Sequence, residues 1–363
     1  RNCDAAAVHN GQMNMDPLFS TEKIHETCDT KLGLEYYLRH GEQDFMQDIP
    51  GSYVFVIADK KRSEVVVMRD RFGIKPACLG EKDGKYCIAS ENVAFLDQGA
   101  RVVEDLEPGT IYYLSERGSF RKTKVLSPEK KHCFFEWNYI SNIDSIINEV
   151  GVRKIRTELG KALAEEFDPE DVDIITYLPR CPKVAARSFA KHTGKEDKFT
   201  EVFYKLNSER AFLGTNKTDR NSSIKKNLYL HTRMEDLLRN KVVLVIDDSI
   251  IRGNNSAYAG ELLKGCNVKK VYYASYTPRI GEIGADGIAR GCMFGVDMPP
   301  DDDFIVRTED GKRNRTVEEI DTIMGRNIYF MNKKGMFNAF ERAGIKRKDL
   351  CSFCIGGEYP FKI

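Results

Sequence analysis

The residues best equipped for chemistry are Asp247 and Asp248, at the tip of an apolar run in VVLVIDDSIIRGNNS, residues 242–256. The run reads as a buried strand, and the polar stretch Ser249 to Ser256 leads into a helix. Backbone N–H groups in a glycine-containing turn before a helix N-terminus suit a phosphate, and Asn254, Asn255 and Ser256 add side-chain donors. The two carboxylates suit ribose hydroxyls, or a Mg2+ shared with a pyrophosphate. On pattern alone, a plain Asp-Asp helix cap fits about as well. A second candidate is C-S-F-C, Cys351 and Cys354. Its spacing leaves open a redox pair, a metal or cluster site, and chance.

For the aspartates to sit where ligands bind, their strand must belong to a parallel sheet, outside whose carboxyl ends such sites form. The second part of the chain has the necessary rhythm. VRKIRTELGKALAEEF reads as an amphipathic helix, VDIITYLP as a buried strand, and KVAARSFAKHTG as a helix ending at a glycine. KVVLVIDD, SAYAGELLKGC and VKKVYYASYTP repeat strand, helix and strand. That alternation predicts an α/β domain with a parallel sheet covered on both faces. The first third differs: residues 52–68 read as two strands joined by a charged turn, and 85–89 and 110–114 as further short strands. It predicts packed antiparallel sheet with one helix near 30–40. The boundary falls between about 125 and 145, where SPEKKHCFFEWNYIS interrupts both patterns. The polar stretch 207–223 predicts a mobile loop.

The chain has 363 residues, so two domains are expected. Its 56 basic and 55 acidic side chains nearly cancel, which argues against nucleic acid or an anionic membrane surface as partner. No apolar run reaches membrane-spanning length and no leader is visible, so a cytoplasmic protein is expected. The first residue is Arg1 rather than Met, so the natural N-terminus is expected to lie further upstream. Of the ten cysteines, Cys3, Cys28, Cys78, Cys87, Cys181 and Cys266 stand singly and read as small buried hydrophobes.

I-D-D-S-I-I-R-G-N-N-S closely resembles the ribose-phosphate loop of type I phosphoribosyltransferases, usually V-D-D-S-I-V-R-G-T-T-S. AAAVHNGQM, GSYVFVIAD and RDRFGIKPACLG resemble the N-terminal-nucleophile glutaminase domain of class II amidotransferases. In this order, the two resemble the amidophosphoribosyltransferase family along essentially the whole chain. The resemblance implies an incomplete glutaminase sandwich over 1–132, a phosphoribosyltransferase domain over 133–340 and a cluster-binding segment over 341–363. It implies a glycosyltransferase acting on phosphoribosyl pyrophosphate (PRPP) and glutamine, and a homo-oligomer. The competing class is a non-catalytic regulator on the same fold that binds PRPP without turnover.

Residue by residue, the resemblance gives Asp247 and Asp248 to the ribose hydroxyls and Mg2+, and Ser249, Arg252, Gly253, Asn254, Asn255 and Ser256 to the phosphosugar. Two hydroxyl side chains of the family's loop are replaced by Asn254 and Asn255. A loop near 205–220, with Lys205, Arg210 and Arg220, would close over the pyrophosphate. Arg180 stands where the family has an aspartate. In the glutaminase, Asn10 and Gly11 would supply oxyanion donors and Asp29 would hold the substrate's α-amino group, with Lys31 replacing a glutamate. The family's nucleophile is an N-terminal cysteine well before H-N-G, a place Cys3 cannot fill. RDRFGIKP also occurs in asparagine synthetases, but no S-G-G-x-D loop follows, and it reads as a structural turn. CSFCIGGEYP, HCFFEW and GCMFGVD resemble the family's cluster-containing branch. They imply that Cys133, Cys292, Cys351 and Cys354 ligate a [4Fe–4S] cluster with a structural role, zinc being the alternative.

Overall fold

A computed structural model describes residues 4–14, 28–206, 227–292, 294, 296 and 298–360. The front of the chain is built around a five-stranded antiparallel sheet. Strand β1 (Ala5–Met13) is followed by helix α1 (Asp29–Asp48), then β2 (Gly51–Asp59) and β3 (Glu64–Arg69). Next come β4 (Cys78–Lys82), β5 (Lys85–Ala89), the short helix α2 (Val93–Leu96), β6 (Arg101–Asp105), β7 (Thr110–Ser115) and β8 (Ser119–Lys124). The main sheet has the order β1-β2-β3-β7-β8, and β5-β4-β6 form a second sheet. Period-two alternation along β2 explains the layering. Tyr53, Phe55 and Ile57 pack with Phe45 and Tyr37 of α1, whereas Val54 joins Val67, Leu79 and Tyr112 in a separate core. The expected helix near 30–40 runs on to Asp48 because Gly41, at φ +85°, kinks it without ending it.

The junction begins with β9 (His132–Cys133) and a wide helical turn, Glu136–Ile140, and continues through the hairpin β10 (Ile146–Ile147) and β11 (Val150–Gly151). Helix α3 (Val152–Glu166), strand β12 (Ile174–Tyr177), helix α4 (Lys183–His192), the pair β13 (Phe203–Lys205) and β14 (Leu228–Leu230), and helix α5 (Met234–Leu238) follow. The rest comprises β15 (Val242–Asp247), α6 (Asn254–Gly265), β16 (Lys270–Ser275), α7 (Val317–Met324), β17 (Asn327–Phe330), α8 (Lys333–Ala343) and β18 (Leu350–Cys351).

The alternating pattern delivers the expected sheet: β12-β15-β16-β17, with every neighbouring pair parallel. All six residues of β15 are buried, as a central parallel strand requires. Helices α3 and α4 cross closely, since a β-carbon on Gly160 would lie 2.1 Å from the Ala185 carbonyl oxygen. At the C-terminus β18 pairs in parallel with β9, Cys351 opposite Cys133, and so returns the chain to the junction. The divisions expected at 132/133 and 340/341 therefore fall inside β9 and α8. Among the described residues no helix is long and apolar enough to cross a membrane. The expected mobile loop at 207–223 lies outside the described residues.

Candidate active sites

The parallel sheet puts Asp247 at the last position of β15 and Asp248 just beyond it. Gly253 then turns the chain into α6. Its φ is +78°, and a β-carbon there would lie 2.8 Å from Ile305 Cδ1 and 2.9 Å from Met324 Sδ, so glycine takes this turn without the strain that a side chain would bring. Asp247, Asp248, Ser249, Arg252, Gly253, Asn254, Asn255 and Ser256 all line one cleft, closed by Phe135, Tyr139, Val296 and Met298. Its empty space is about 780 Å3 counted out to open solvent. The first N–H groups of a helix have no partner inside it, so the start of α6 presents donors to this cleft.

The two carboxylates are held under tension. Burial pushes Asp247 well above the usual carboxylate range, and the neighbouring Asp248 charge adds to it. Burial pushes Asp248 up to about 6, against the opposing pull of the Ser249 hydroxyl and the charges of Lys205 and Arg156. Their hydrogen bonds are local: the Asp248 N–H donates to Asp247 Oδ1 at 2.9 Å, and Ser249 Oγ donates to Asp248 Oδ2 at 2.9 Å. Such a pair is relieved by a cation or by hydroxyl donors. The donors are hard oxygens, as Mg2+ prefers. Among the described residues no three His, Cys, Asp or Glu side chains converge on one ion, so a bound Mg2+ would draw its remaining ligands from substrate and water.

The structure adds partners that sequence alone did not indicate. Arg252 lines the cleft but turns its guanidinium to Asp302, with Nε donating to Oδ1 at 3.1 Å and Nη2 meeting Oδ2. Lys205, at the end of β13, is near enough for its charge to act on both aspartates. Arg180 Nη2 donates to the Lys205 carbonyl at 3.5 Å. Arg210 and Arg220 lie outside the described residues.

In the front domain, Gly11 and Asp29 meet around His9, whereas the Asn10 side chain points to the other face of β1. Gly11 sits opposite Tyr53 at φ +132°, and a β-carbon on it would lie 1.8 Å from the Ser52 carbonyl oxygen. Asn10 Nδ2 donates to Ser90 Oγ at 3.3 Å. Asp29 accepts the Met13 N–H at 3.2 Å and lies 3.3 Å from His9 Nε2, which is also 3.0 Å from the Gly11 carbonyl. The carboxylate assigned to the substrate's α-amino group is thus already tied to β1. Cys3 lies outside the described residues. The RDRFGIKP turn is bonded within itself and to neighbouring backbone: Asp70 accepts the N–H groups of Phe72 and Gly73 and that of Tyr53 in β2, and Arg69 donates to the carbonyls of Lys75, Gly73 and Leu106.

Cys133, Cys292, Cys351 and Cys354 line a single pocket, its empty space about 390 Å3 counted out to open solvent, walled by Ile74, Phe134, Phe294, Phe353 and Tyr359. Burial pushes the Cys133 and Cys354 thiols far up and the Cys351 thiol up to about 12. Four mutually repelling thiolates in an apolar chamber would need positive charge, and soft sulfur donors fit iron or zinc. One tetrahedral zinc at about 2.3 Å from each sulfur would hold the thiols tightly together. Among the described residues no three His, Cys, Asp or Glu side chains converge on one ion.

Known proteins match this arrangement. Residues 10–128 match the family model described as a glutamine amidotransferase domain. The amidophosphoribosyltransferase of Archaeoglobus fulgidus is 27% identical, the match covering 99% of this chain and 77% of the relative. That of Methanothermobacter thermautotrophicus is 28% identical over 97% and 69%, and that of Escherichia coli 31% identical over 72% and 50%. The solved structure of glutamine PRPP amidotransferase from B. subtilis, complexed with ADP and GMP, superposes with a TM-score of 0.81 at 24% identity, covering 99% of this chain and 78% of that one. A structure described as the allosteric regulatory enzyme of purine biosynthesis gives the same TM-score and identity, over 99% and 76%.

Fold and matches together define a protein in two parts, a glutamine amidotransferase domain in front of a parallel α/β domain. Along nearly its whole length the chain is homologous to the amidophosphoribosyltransferases.

Proposed function

We propose that the chain is an amidophosphoribosyltransferase, a glycosyltransferase that converts PRPP and ammonia to 5-phosphoribosylamine and pyrophosphate. Glutamine, hydrolysed to glutamate in the front domain, is the ammonia source, and the reaction is the first step of de novo purine synthesis. The observation that carries this reading is the cleft itself, where two buried carboxylates and the N-terminal end of α6 face one space. The protein is cytoplasmic and a homo-oligomer, with a glutaminase domain over 1–132, a transferase domain over 133–340 and a stapling segment over 341–363.

The chain's residues do mostly positioning and charge work. Asp247 and Asp248 accept the ribose hydroxyls. The N–H groups and side chains of Asn254, Asn255 and Ser256 hold the 5-phosphate, while Lys205 supplies positive charge on the pyrophosphate side. Asp247 and Asp248 would also hold Mg2+, which when bound neutralises the leaving pyrophosphate. Phe135 and Tyr139 wall the cleft so that ammonia, rather than water, reaches C1. Asn10 and Gly11 supply the oxyanion donors and Asp29 the α-amino partner in the front domain. Cys133, Cys292, Cys351 and Cys354 would ligate a [4Fe–4S] cluster that fastens β18 to β9 and takes no part in catalysis.

The test compares ammonium-dependent turnover of PRPP by the wild type and Asp248→Asn. The reading expects the variant to lose at least about a hundredfold in rate with its fold intact, as removing a preorganised charge does. Equal rates would remove the aspartate pair from the mechanism.

A further inference from the structure

Helix α3 carries a buried guanidinium whose part above is limited to its charge on Asp248. Arg156 is 2% exposed. Its Nε donates to the Trp137 carbonyl and its Nη2 to the Ser141 carbonyl, both at 2.8 Å. One carbonyl lies inside the wide turn Glu136–Ile140 and the other just after it, and the turn is closed by the Ser141 N–H donating to the Glu136 carbonyl at 2.9 Å. A turn of this width is rare and does not persist on its own propensity. Here the planar fork of one arginine spans it, a geometry that lysine cannot reproduce.

The turn matters because of what it carries. Phe135, just before it, and Tyr139, within it, both line the phosphosugar cleft. Its opposite side is fixed to the strand end that follows β16. Asn138 Nδ2 donates to Thr277 Oγ1 at 3.0 Å, and the Asn138 carbonyl accepts from Tyr276 Oη at 2.8 Å. Ser275 Oγ, in the same strand end, donates to the Asp248 carbonyl at 3.3 Å. Lys75 holds the Glu136 carboxylate and Cys181 Sγ meets the Tyr139 carbonyl at 3.2 Å, while Arg156 is the clamp that bridges the Trp137 and Ser141 carbonyls across the turn.

We propose that Arg156 is a positioning residue for the cleft wall: by fixing the Glu136–Ile140 turn it sets Phe135 and Tyr139 where they shield the sugar C1, and so determines how strongly ammonia is preferred to water. The inference rests on the transferase reading. A closed wall suppresses hydrolysis of the activated sugar, whereas a loosened one admits water.

The experiment measures pyrophosphate release from PRPP and Mg2+, with and without ammonium, for the wild type, Arg156→Lys and Arg156→Gln. The expected result is a fall of about tenfold or more in the ratio of ammonium-dependent to ammonium-independent release, of the order that small misplacements produce. The emission of Trp137, the chain's single tryptophan, should shift to the red as the turn loosens. Both rates falling by one common factor, with Trp137 emission unchanged, would overturn the inference and leave Arg156 a structural cation. Should the arginine variants fail to fold, Phe135→Leu tests the same wall with Arg156 in place, and an unchanged ratio there also overturns it. No release by the wild type would overturn the transferase reading and the inference with it, so the two failures are told apart.

Discussion

Asp248 illustrates the conflict that a binding site builds into a fold. Its carboxyl is raised to about 6 from an ordinary value of 3.8, chiefly by burial. A carboxyl whose folded pKa exceeds its unfolded one stabilises the chain below the unfolded value, and that contribution is lost as pH rises through the folded one. In the ligand-free protein Asp248 is therefore a burden at neutral pH. Asp248→Asn should raise the melting temperature at pH 7.5 and should make little difference near pH 4. A variant that melts lower than the wild type at pH 7.5 would contradict this account of the pair. Gly253→Ala works in the opposite direction. It forces a positive φ on alanine and a β-carbon against Ile305 and Met324, so a loss of about 1–3 kcal/mol together with a raised KM for PRPP is expected. A crystal structure or melting curve indistinguishable from the wild type's would show that the loop has room.

At the scale of elements, the alternation of apolar strands and amphipathic helices after residue 145 was enough to place β12, β15 and β16 in one parallel sheet, because such strands are buried on both faces and read as continuous apolar runs. The aspartates and α6 were legible for the same reason: a strand, a glycine turn and a helix are contiguous in sequence. The cleft's other wall was not. Phe135 and Tyr139 come from the junction, over a hundred residues upstream, and Asp302 meets Arg252 from a segment without periodicity. Ser90 reaches Asn10 across 80 residues, and nothing local marks it. Long-range pairing of this kind leaves no local trace in sequence. The α3–α4 crossing can be tested directly. Gly160→Ala should cost about 2–3 kcal/mol in denaturant unfolding, because the helices must separate to relieve the contact with Ala185.

The whole molecule is held together at the junction. Lys75 Nζ donates to Glu136 Oε1 at 3.0 Å with both side chains buried, which ties the RDRFGIKP turn of the front domain to the wide turn beside the cleft. His132 Nδ1 lies 2.8 Å from the Gly73 carbonyl in the same seam. Removing one member of a buried ion pair leaves the other uncompensated, so Lys75→Met should destabilise the chain by about 3–5 kcal/mol, and adding Glu136→Gln should recover part of the loss. Additive losses in the double variant would deny the pairing. Beside this seam the four cysteines join β9, β18 and the segment around Cys292. Protein purified without oxygen should be brown, with iron and sulfide near four each per chain. Colourless protein carrying stoichiometric zinc would replace the cluster with a single-ion site. The measurement that tests the central claim most directly is pyrophosphate release from PRPP and Mg2+ by the anaerobically purified chain, with ammonium as the nitrogen source. The account predicts ammonium-dependent release. PRPP binding without any release would contradict it and make the cleft a sensor of the phosphosugar instead.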